Sequence, residues 1–270
     1  DWVYVQRFDG PAAGKPYVRL VCEGVDYYAS VWLNGTHLGD HEGSFAPFAF
    51  EAGHLLRAEN ELRIRVAAPW DKRTRRGTYP VDHVLRGMVK GLYEHSEGLL
   101  PPDVNPLGVW RPVRLIGDDG LRIEALRVEG GMDGTAHVRL VCLNVTGAAC
   151  EGALRLMIAA ENHDGPGTEV TQSLRLQPGA HTVEVTLNVP RPHLWWPWDH
   201  GDPALYRLEV VLQCECCAPV QRTTTFGFRQ VRLERSPKRF VYYVNERPVY
   251  VRGTSYIPAV YLSTVSRDML

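Results

Sequence analysis

Apolar and polar residues alternate with a period of two along most of this chain. Between Tyr17 and Cys22, Val18, Leu20 and Cys22 fall on one side and Arg19 and Val21 on the other. Leu62, Ile64 and Val66 alternate in the same way with Arg63 and Arg65. Such alternation describes antiparallel strands with one face buried and the other wet. Further strands are expected over residues 2–8, 27–33 and 45–50. Gly10-Pro11 and Gly14-Lys15-Pro16 supply a first turn, and Asn34-Gly35 supplies a two-residue hairpin, because both residues tolerate a positive φ. From Gly120 onward seven more strands are expected, over 121–128, 136–143, 153–159, 170–176, 181–187, 205–213 and 222–228. Seven short strands in about 110 residues predict an immunoglobulin-like sandwich, here without the Cys-Trp-Cys pattern of antibody domains.

The pattern breaks over residues 69–108. Lys72, Arg73, Arg75 and Arg76 form a basic run read as a solvated loop, and a short helix is expected over 84–93. A connection of this length is usually functional or mobile, and it is expected at one end of the sandwich, near a ligand-facing edge. Pro101, Pro102, Asp103, Asn105, Pro106 and Gly108 then bend the backbone, and residues 109–115 read as a strand. A loop that presents polar side chains is therefore pinned directly onto a sheet. Near the other end, residues 240–252 read as a hairpin with Asn245-Glu246 at its tip. Residues 263–270 look like a helix start, with Thr264 or Ser266 as cap. One β/α unit cannot bury its own faces. Both ends of the chain are expected to continue in a longer protein.

Composition narrows the classes. The 270 residues hold 44% hydrophobic and 23% charged residues, which suits a globular protein with one large or two ordinary domains. A formal net charge of -1 gives no electrostatic case for nucleic acid or an anionic membrane, and no apolar run approaches a membrane span. Six cysteines are too few for a disulfide scaffold of this length. Cys214-Glu-Cys-Cys217 lacks a usual zinc spacing and a nearby histidine, so no metal site is expected there; as a strand it would set Cys214 and Cys216 on one face. His41, His83 and His95 are scattered and read as surface histidines, and Glu94 and Glu97 as loop charges rather than a catalytic pair. Asn34-Gly-Thr36 and Asn144-Val-Thr146 match the glycosylation acceptor pattern, although Asn34 also fits a hairpin turn.

Several stretches, in order, resemble glycoside hydrolase family 2, the group of β-galactosidases, β-glucuronidases and β-mannosidases. Val25-Asp-Tyr-Tyr-Ala-Ser-Val-Trp-Leu-Asn-Gly-Thr-His-Leu-Gly39, with His41-Glu-Gly-Ser-Phe45 and Phe48, is similar to the family's sugar-binding sandwich. Asn60-Glu-Leu-Arg-Ile-Arg-Val66 and Gly108-Val-Trp-Arg-Pro-Val-Arg-Leu115 resemble the strands flanking its variable loop. Leu194-Trp-Trp-Pro-Trp198, Leu205-Tyr206 and Phe226-Gly-Phe-Arg229 are similar to the close of its immunoglobulin-like domain, and residues 240–258 to the entry of its TIM barrel.

The resemblance implies a mainly β chain. It comprises a jelly-roll sugar-binding domain over 1–118, incomplete at its start, an immunoglobulin-like β-sandwich over 119–233, and the first strand of a truncated TIM barrel over 234–270. It further implies a retaining β-glycosidase whose two catalytic glutamates lie past residue 270, with no catalytic residue here, no cofactor and no metal. The partners implied are a carbohydrate substrate and the missing barrel in cis. Asp103 is the leading substrate contact, with Asn105 as its possible substitute, and Tyr256 lines the sugar pocket at the end of the first barrel strand. Ser255 stands where family members often carry Asn. Trp195, Trp196 and Trp198 are expected to pack in a core or an interface rather than to stack on sugar. Tyr256-Ile-Pro258 and Leu194-Trp-Trp-Pro197 lean towards the β-mannosidase branch. The competing reading is a non-catalytic carbohydrate-binding or scaffold protein of two sandwiches.

Overall fold

The computed structural model describes residues 2–10, 15–67, 108–215 and 217–254. Its described residues separate into two compact units, the first within residues 2–118, the second within residues 119–254.

The first unit contains β1 (Trp2–Asp9), β2 (Tyr17–Cys22), β3 (Val25–Asp26), β4 (Tyr28–Leu33), β5 (Thr36–Glu42), β6 (Phe48–Glu51), β7 (Glu59–Ala67), β8 (Gly108–Val109) and β9 (Val113–Asp118). They form a four-stranded sheet in the order β1-β7-β4-β5, a three-stranded sheet β6-β2-β9 and the short pair β3-β8. The alternation decides the faces. Leu62, Ile64 and Val66 of β7, Ala29, Val31 and Leu33 of β4, and Leu20 and Cys22 of β2 close on one another as the core. Arg63 and Arg65 face water. The β4–β5 turn places Asn34 at φ 52° and Gly35 at φ 85°, as the Asn-Gly pair predicts.

The side chain of Asn34 does more than permit that turn. Its Nδ2 donates to Leu55 O (2.8 Å) and to Asn60 Oδ1 (2.9 Å), and its Oδ1 accepts from Glu61 N (2.9 Å). The hairpin is thereby tied to the 3-10 turn Gly53–Leu55 and to the start of β7. This acceptor-pattern asparagine has its amide committed to the fold.

The strand expected over 109–115 is two strands. β8 pairs with β3, β9 pairs with β2, and the break falls at Trp110-Arg111-Pro112. Proline has no N–H to donate to a ladder. Its carbonyl accepts from Glu23 N (3.0 Å), while Trp110 N and Arg111 N both donate to Gly24 O (3.2 and 3.3 Å). Two donors converging on one carbonyl bend the ribbon as a bulge does. A Cβ at Gly24 would lie 2.9 Å from the Trp110 indole, so the partner strand needs glycine at that point.

In the second unit all seven expected strands are present, with bounds shifted by up to five residues: β10 (Leu121–Gly130), β11 (Thr135–Asn144), β12 (Cys150–Ala160), β13 (Thr168–Leu176), β14 (Gly179–Asn188), β15 (Tyr206–Cys214) and β16 (Cys217–Phe226). The sheet β10-β11-β14 faces β13-β12-β15-β16 across Leu140, Leu154, Leu156, Tyr206, Leu208 and Phe228. Each such buried side chain contributes about 1.5–3 kcal/mol by leaving water. Cys214 stands opposite Cys217 where β15 turns into β16, so this segment is a hairpin end.

Asn144, the other acceptor-pattern asparagine, is buried and donates to Ala148 O (2.8 Å) and Leu176 O (3.0 Å). Glycosylation there would require local unfolding.

The unit ends in an antiparallel meander of β17 (Val231–Ser236), β18 (Arg239–Val244) and β19 (Arg247–Val249). The expected hairpin tip at Asn245-Glu246 is present, with φ 47° and 66°. Asn245 is buried, accepts from Gln230 N (2.9 Å) and donates to Trp195 O (3.0 Å).

Candidate functional site

Asp103, Asn105 and Tyr256, the three residues expected to touch substrate, lie outside the described residues, as do Glu94, Glu97, His83 and His95. What the structure describes is the surface on which the 68–107 segment starts and ends. Ala67, the last residue of β7, pairs with Tyr28, and Gly108, the first of β8, pairs with Asp26. Both ends of the segment are therefore held on the three residues from Asp26 to Tyr28.

A polar and aromatic cluster surrounds that anchor. Ser44 Oγ donates to Asp26 Oδ1 (2.7 Å), and Trp110 Nε1 donates to Ser44 O (2.8 Å). Phe45 meets the Trp110 ring edge-on at 5.7 Å, and the Arg111 guanidinium lies 4.5 Å from the centre of that ring. On the neighbouring side Tyr27 OH donates to Glu42 Oε1 (3.0 Å), Tyr27 O accepts from Gly43 N (3.1 Å), and Tyr28 packs edge-on to Tyr27 at 4.9 Å. Burial pushes the Asp26 carboxyl above its ordinary value, and the Ser44 hydroxyl pulls against that rise. The Tyr27 phenol is raised by partial burial and then by its bond to Glu42.

His41 is not the bland surface histidine expected from the sequence. Its ring stacks on Phe48 at 4.0 Å, and burial lowers its pKa. Phe48 lies on β6, far enough along the chain that no local pattern brings the two rings together.

Asp26 accepts from Ser44 and Glu42 from Tyr27, and these bonds tie the anchor to the loop after β5. The exposed rings of Phe45 and Tyr28 offer apolar surface beside them. Among the described residues no three or more His, Cys, Asp or Glu side chains converge as metal ligands. No described helix is long and apolar enough to cross a membrane. Sequence reasoning passed over the Asp26–Ser44–Trp110 chain of bonds. All three residues stood in quoted motifs, but an acid that turns inward after a two-residue strand leaves no periodic signal.

The tryptophan cluster divides. Trp195 carries the Arg229 guanidinium at 4.5 Å and Trp196 that of Arg247 at 4.6 Å, so both pack as expected. Trp198 is 81% exposed in this chain.

Comparison with known proteins bears on both units. Residues 1–92 match the family described as glycosyl hydrolase 2 galactose-binding domain-like, and residues 121–229 match glycosyl hydrolases family 2. A β-mannosidase of Bos taurus is 23% identical across 96% of this chain and 32% of its own length. An exo-β-D-glucosaminidase of Arthroderma benhamiae is 25% identical across 99% of this chain and 30% of its own. The crystal structure of a β-D-mannosidase from Dictyoglomus thermophilum shares the fold, with a TM-score of 0.77 at 24% identity over 99% of this chain and 35% of that one. The chain thus spans about a third of the length of the curated relatives it matches.

Proposed function

This chain belongs to glycoside hydrolase family 2, and we propose that it is the non-catalytic N-terminal portion of a retaining β-glycoside hydrolase. The observation that carries the reading is the order of the two family matches, 1–92 and then 121–229, in a chain about a third as long as its relatives. In this reading residues 1–118 are the jelly-roll sugar-binding domain, 119–233 the immunoglobulin-like sandwich, and 234–270 the entry to the catalytic barrel. The acid/base and nucleophile glutamates, about 5–5.5 Å apart in retaining enzymes, come from the barrel and not from this chain.

The role of this portion is to shape the sugar subsite from outside the barrel. Asp103, or Asn105 as its substitute, reaches the sugar from a segment whose two ends are fixed on Asp26 and Tyr28. Tyr256 contributes from the end of the first barrel strand. Fixing both ends of a segment lowers the entropy lost when its polar side chains bind. The β-mannosidase names among the relatives favour a β-mannoside as substrate.

The test is hydrolysis of nitrophenyl β-mannoside, β-galactoside, β-glucuronide and β-glucosaminide by the full-length protein. The mannoside is expected to turn over fastest. Asp103→Ala should lower kcat/KM by about 10–100-fold, in line with loss of a charge-assisted hydrogen bond. Absence of turnover on every member would overturn the reading in favour of a carbohydrate-binding or scaffold protein.

A further inference from the structure

Two connections of the second sandwich meet through a pair of histidine rings. The loop between β12 and β13 carries His163, and the connection between β14 and β15 carries His193. The rings stack at 4.7 Å with 11° between their planes, and Tyr206, at the start of β15, packs edge-on to His163 at 4.6 Å. The Tyr206 hydroxyl accepts from His193 N (3.0 Å). A Cβ at Gly165 would fall 2.6 Å from the His163 ring and 2.8 Å from the Tyr206 hydroxyl, so only glycine lets the loop close this tightly.

The hydrogen bonds decide how the pair handles a proton. Gly165 N donates to His163 Nδ1 (2.9 Å), so Nδ1 is the acceptor and the neutral ring carries its hydrogen on Nε2. Nε2 is buried and has no hydrogen-bond partner among the described residues. A second proton has one place to go, the Nδ1 lone pair that Gly165 N–H already occupies. Protonation therefore breaks that bond, sets two N–H groups against each other and lays a positive charge flat against His193. Burial opposes that charge first and His193 second. The Leu205 carbonyl, which already accepts from Glu161 N (2.9 Å), and the exposed Asp164 carboxylate favour it, with less effect. Of the other charged groups on these connections, Glu161 pairs with Arg207 (3.4 Å), Asp199 pairs with Arg252 (3.9 Å), and Arg191 and Asp202 are exposed.

The turn that His193 closes is strained. Arg191, between Pro190 and Pro192, has φ 51°, whereas a residue before proline favours extended backbone. Such a conformation persists only while its surroundings hold it. Directly after the turn Leu194 bridges to Phe228, Trp195 N donates to Phe228 O (2.9 Å) and Trp195 O accepts from Asn245 Nδ2 (3.0 Å). The histidine pair thus stands at the start of the run that ties this connection to the β18–β19 hairpin.

We propose that His163 and His193 form a proton-operated latch, closed at neutral pH, which opens when His163 Nδ1 takes a proton and releases the 161–167 loop and the 190–193 turn. A ring that resists the proton when closed takes it more readily once open, so acid favours the open form. The closure is complete above about pH 6.5 and is lost as pH falls. The latch lies within the second unit and does not depend on the sugar chemistry proposed above.

Hydrogen–deuterium exchange on the full-length protein tests it, read on peptides covering 161–167 and 189–195 and corrected for the intrinsic effect of pH. Between pH 7 and 5 protection of both segments should fall by about five- to tenfold, with residues 138–142 of β11 unchanged. His193→Phe keeps a ring in the stack and removes the opposing charge, so the fall should move to higher pH, because His163 then takes its proton more readily. His163→Phe keeps the stack but has no nitrogen to protonate, and the protection it retains should not change with pH. Equal protection of the parent at pH 7 and 5 would overturn the proposal. So would a fall that His163→Phe retains, which would place the proton on another group, or a fall that His193→Phe leaves at the same pH.

Discussion

The two sandwiches of this chain are built from strands of similar length and alternation, yet they close differently. In the second, 21 described residues form one buried cluster between sheets of three and four strands, and Phe228, Tyr206 and Phe226 fill one end of it with edge-on ring contacts. In the first, ten described residues form the corresponding cluster, and sheets of four and three strands leave a cavity beside β1. Alternation settles which way a side chain points. Whether anything lies opposite is a matter of sheet width and alignment. A strand such as β1 therefore carries a core-facing pattern without a core.

Truncation of core leucines breaks this comparison most sharply. Leu208→Ala, in the closed core, should cost about 3–5 kcal/mol, whereas Leu62→Ala, whose side chain already borders the cavity, should cost about 2 kcal/mol. Scanning calorimetry, read as separate transitions for the two units, checks both values. Equal costs would mean that the first sandwich is as well filled as the second.

Alkaline pH probes the cores in another way. Burial pushes the Cys22 thiol up to about 11 from its ordinary 9.0, and Cys142 in the second core shifts in the same direction. The unfolded chain loses the Cys22 proton first, so the stability this group contributes is intact below pH 9 and is lost as pH rises towards 11. For Cys22 the loss is about 2–3 kcal/mol. Cys22→Ala should flatten that part of the pH profile of the first unit, as followed by urea unfolding.

Acid acts in the opposite direction through the histidines. Burial lowers the pKa of His41 in the first unit and of His163 in the second, so their contributions are present above pH 6.5 and decline as pH falls. Thermal melts between pH 7 and 5 of His41→Gln and His163→Gln should show a shallower fall than the parent protein, each in its own unit.

Smaller effects sharpen the picture at single bonds. Ser44→Ala removes the hydroxyl that Asp26 accepts from and should cost about 1–2 kcal/mol in the first unit. Glu246→Gly, at φ 66° in the hairpin of the second, should gain up to about 1 kcal/mol by relieving the left-handed backbone. A loss on Glu246→Gly would show that the glutamate side chain contributes more than its backbone conformation costs.

Most of the strands and both Asn-led hairpins were legible because each depends on neighbours in sequence: period two for the strands, consecutive positive φ for Asn34-Gly35 and Asn245-Glu246. What escaped depends on partners far away. Val109, Val113 and Leu115 alternate well enough to read as one strand, but Gly24, 86 positions before Trp110, takes both N–H groups and splits it. His41 reads as a surface residue until Phe48 lies flat against it. Trp195 and Trp196 have arginines to cover them, and Trp198, two positions on, is exposed although its composition is the same. At the candidate site the sequence pointed to the loop residues Asp103, Asn105 and Tyr256. It gave no sign of the Asp26–Ser44–Trp110 chain of bonds, because a partly buried carboxyl and a surface turn look alike until the fold sets them apart.

In the function proposed for it, this chain positions a sugar and the chemistry comes from elsewhere in the same protein. The most direct test is hydrolysis of the nitrophenyl β-glycosides by the purified 270-residue chain beside the full-length protein. The account predicts turnover by the full-length protein and none above the uncatalysed rate by the 270-residue chain. Hydrolysis by the 270-residue chain alone would contradict it.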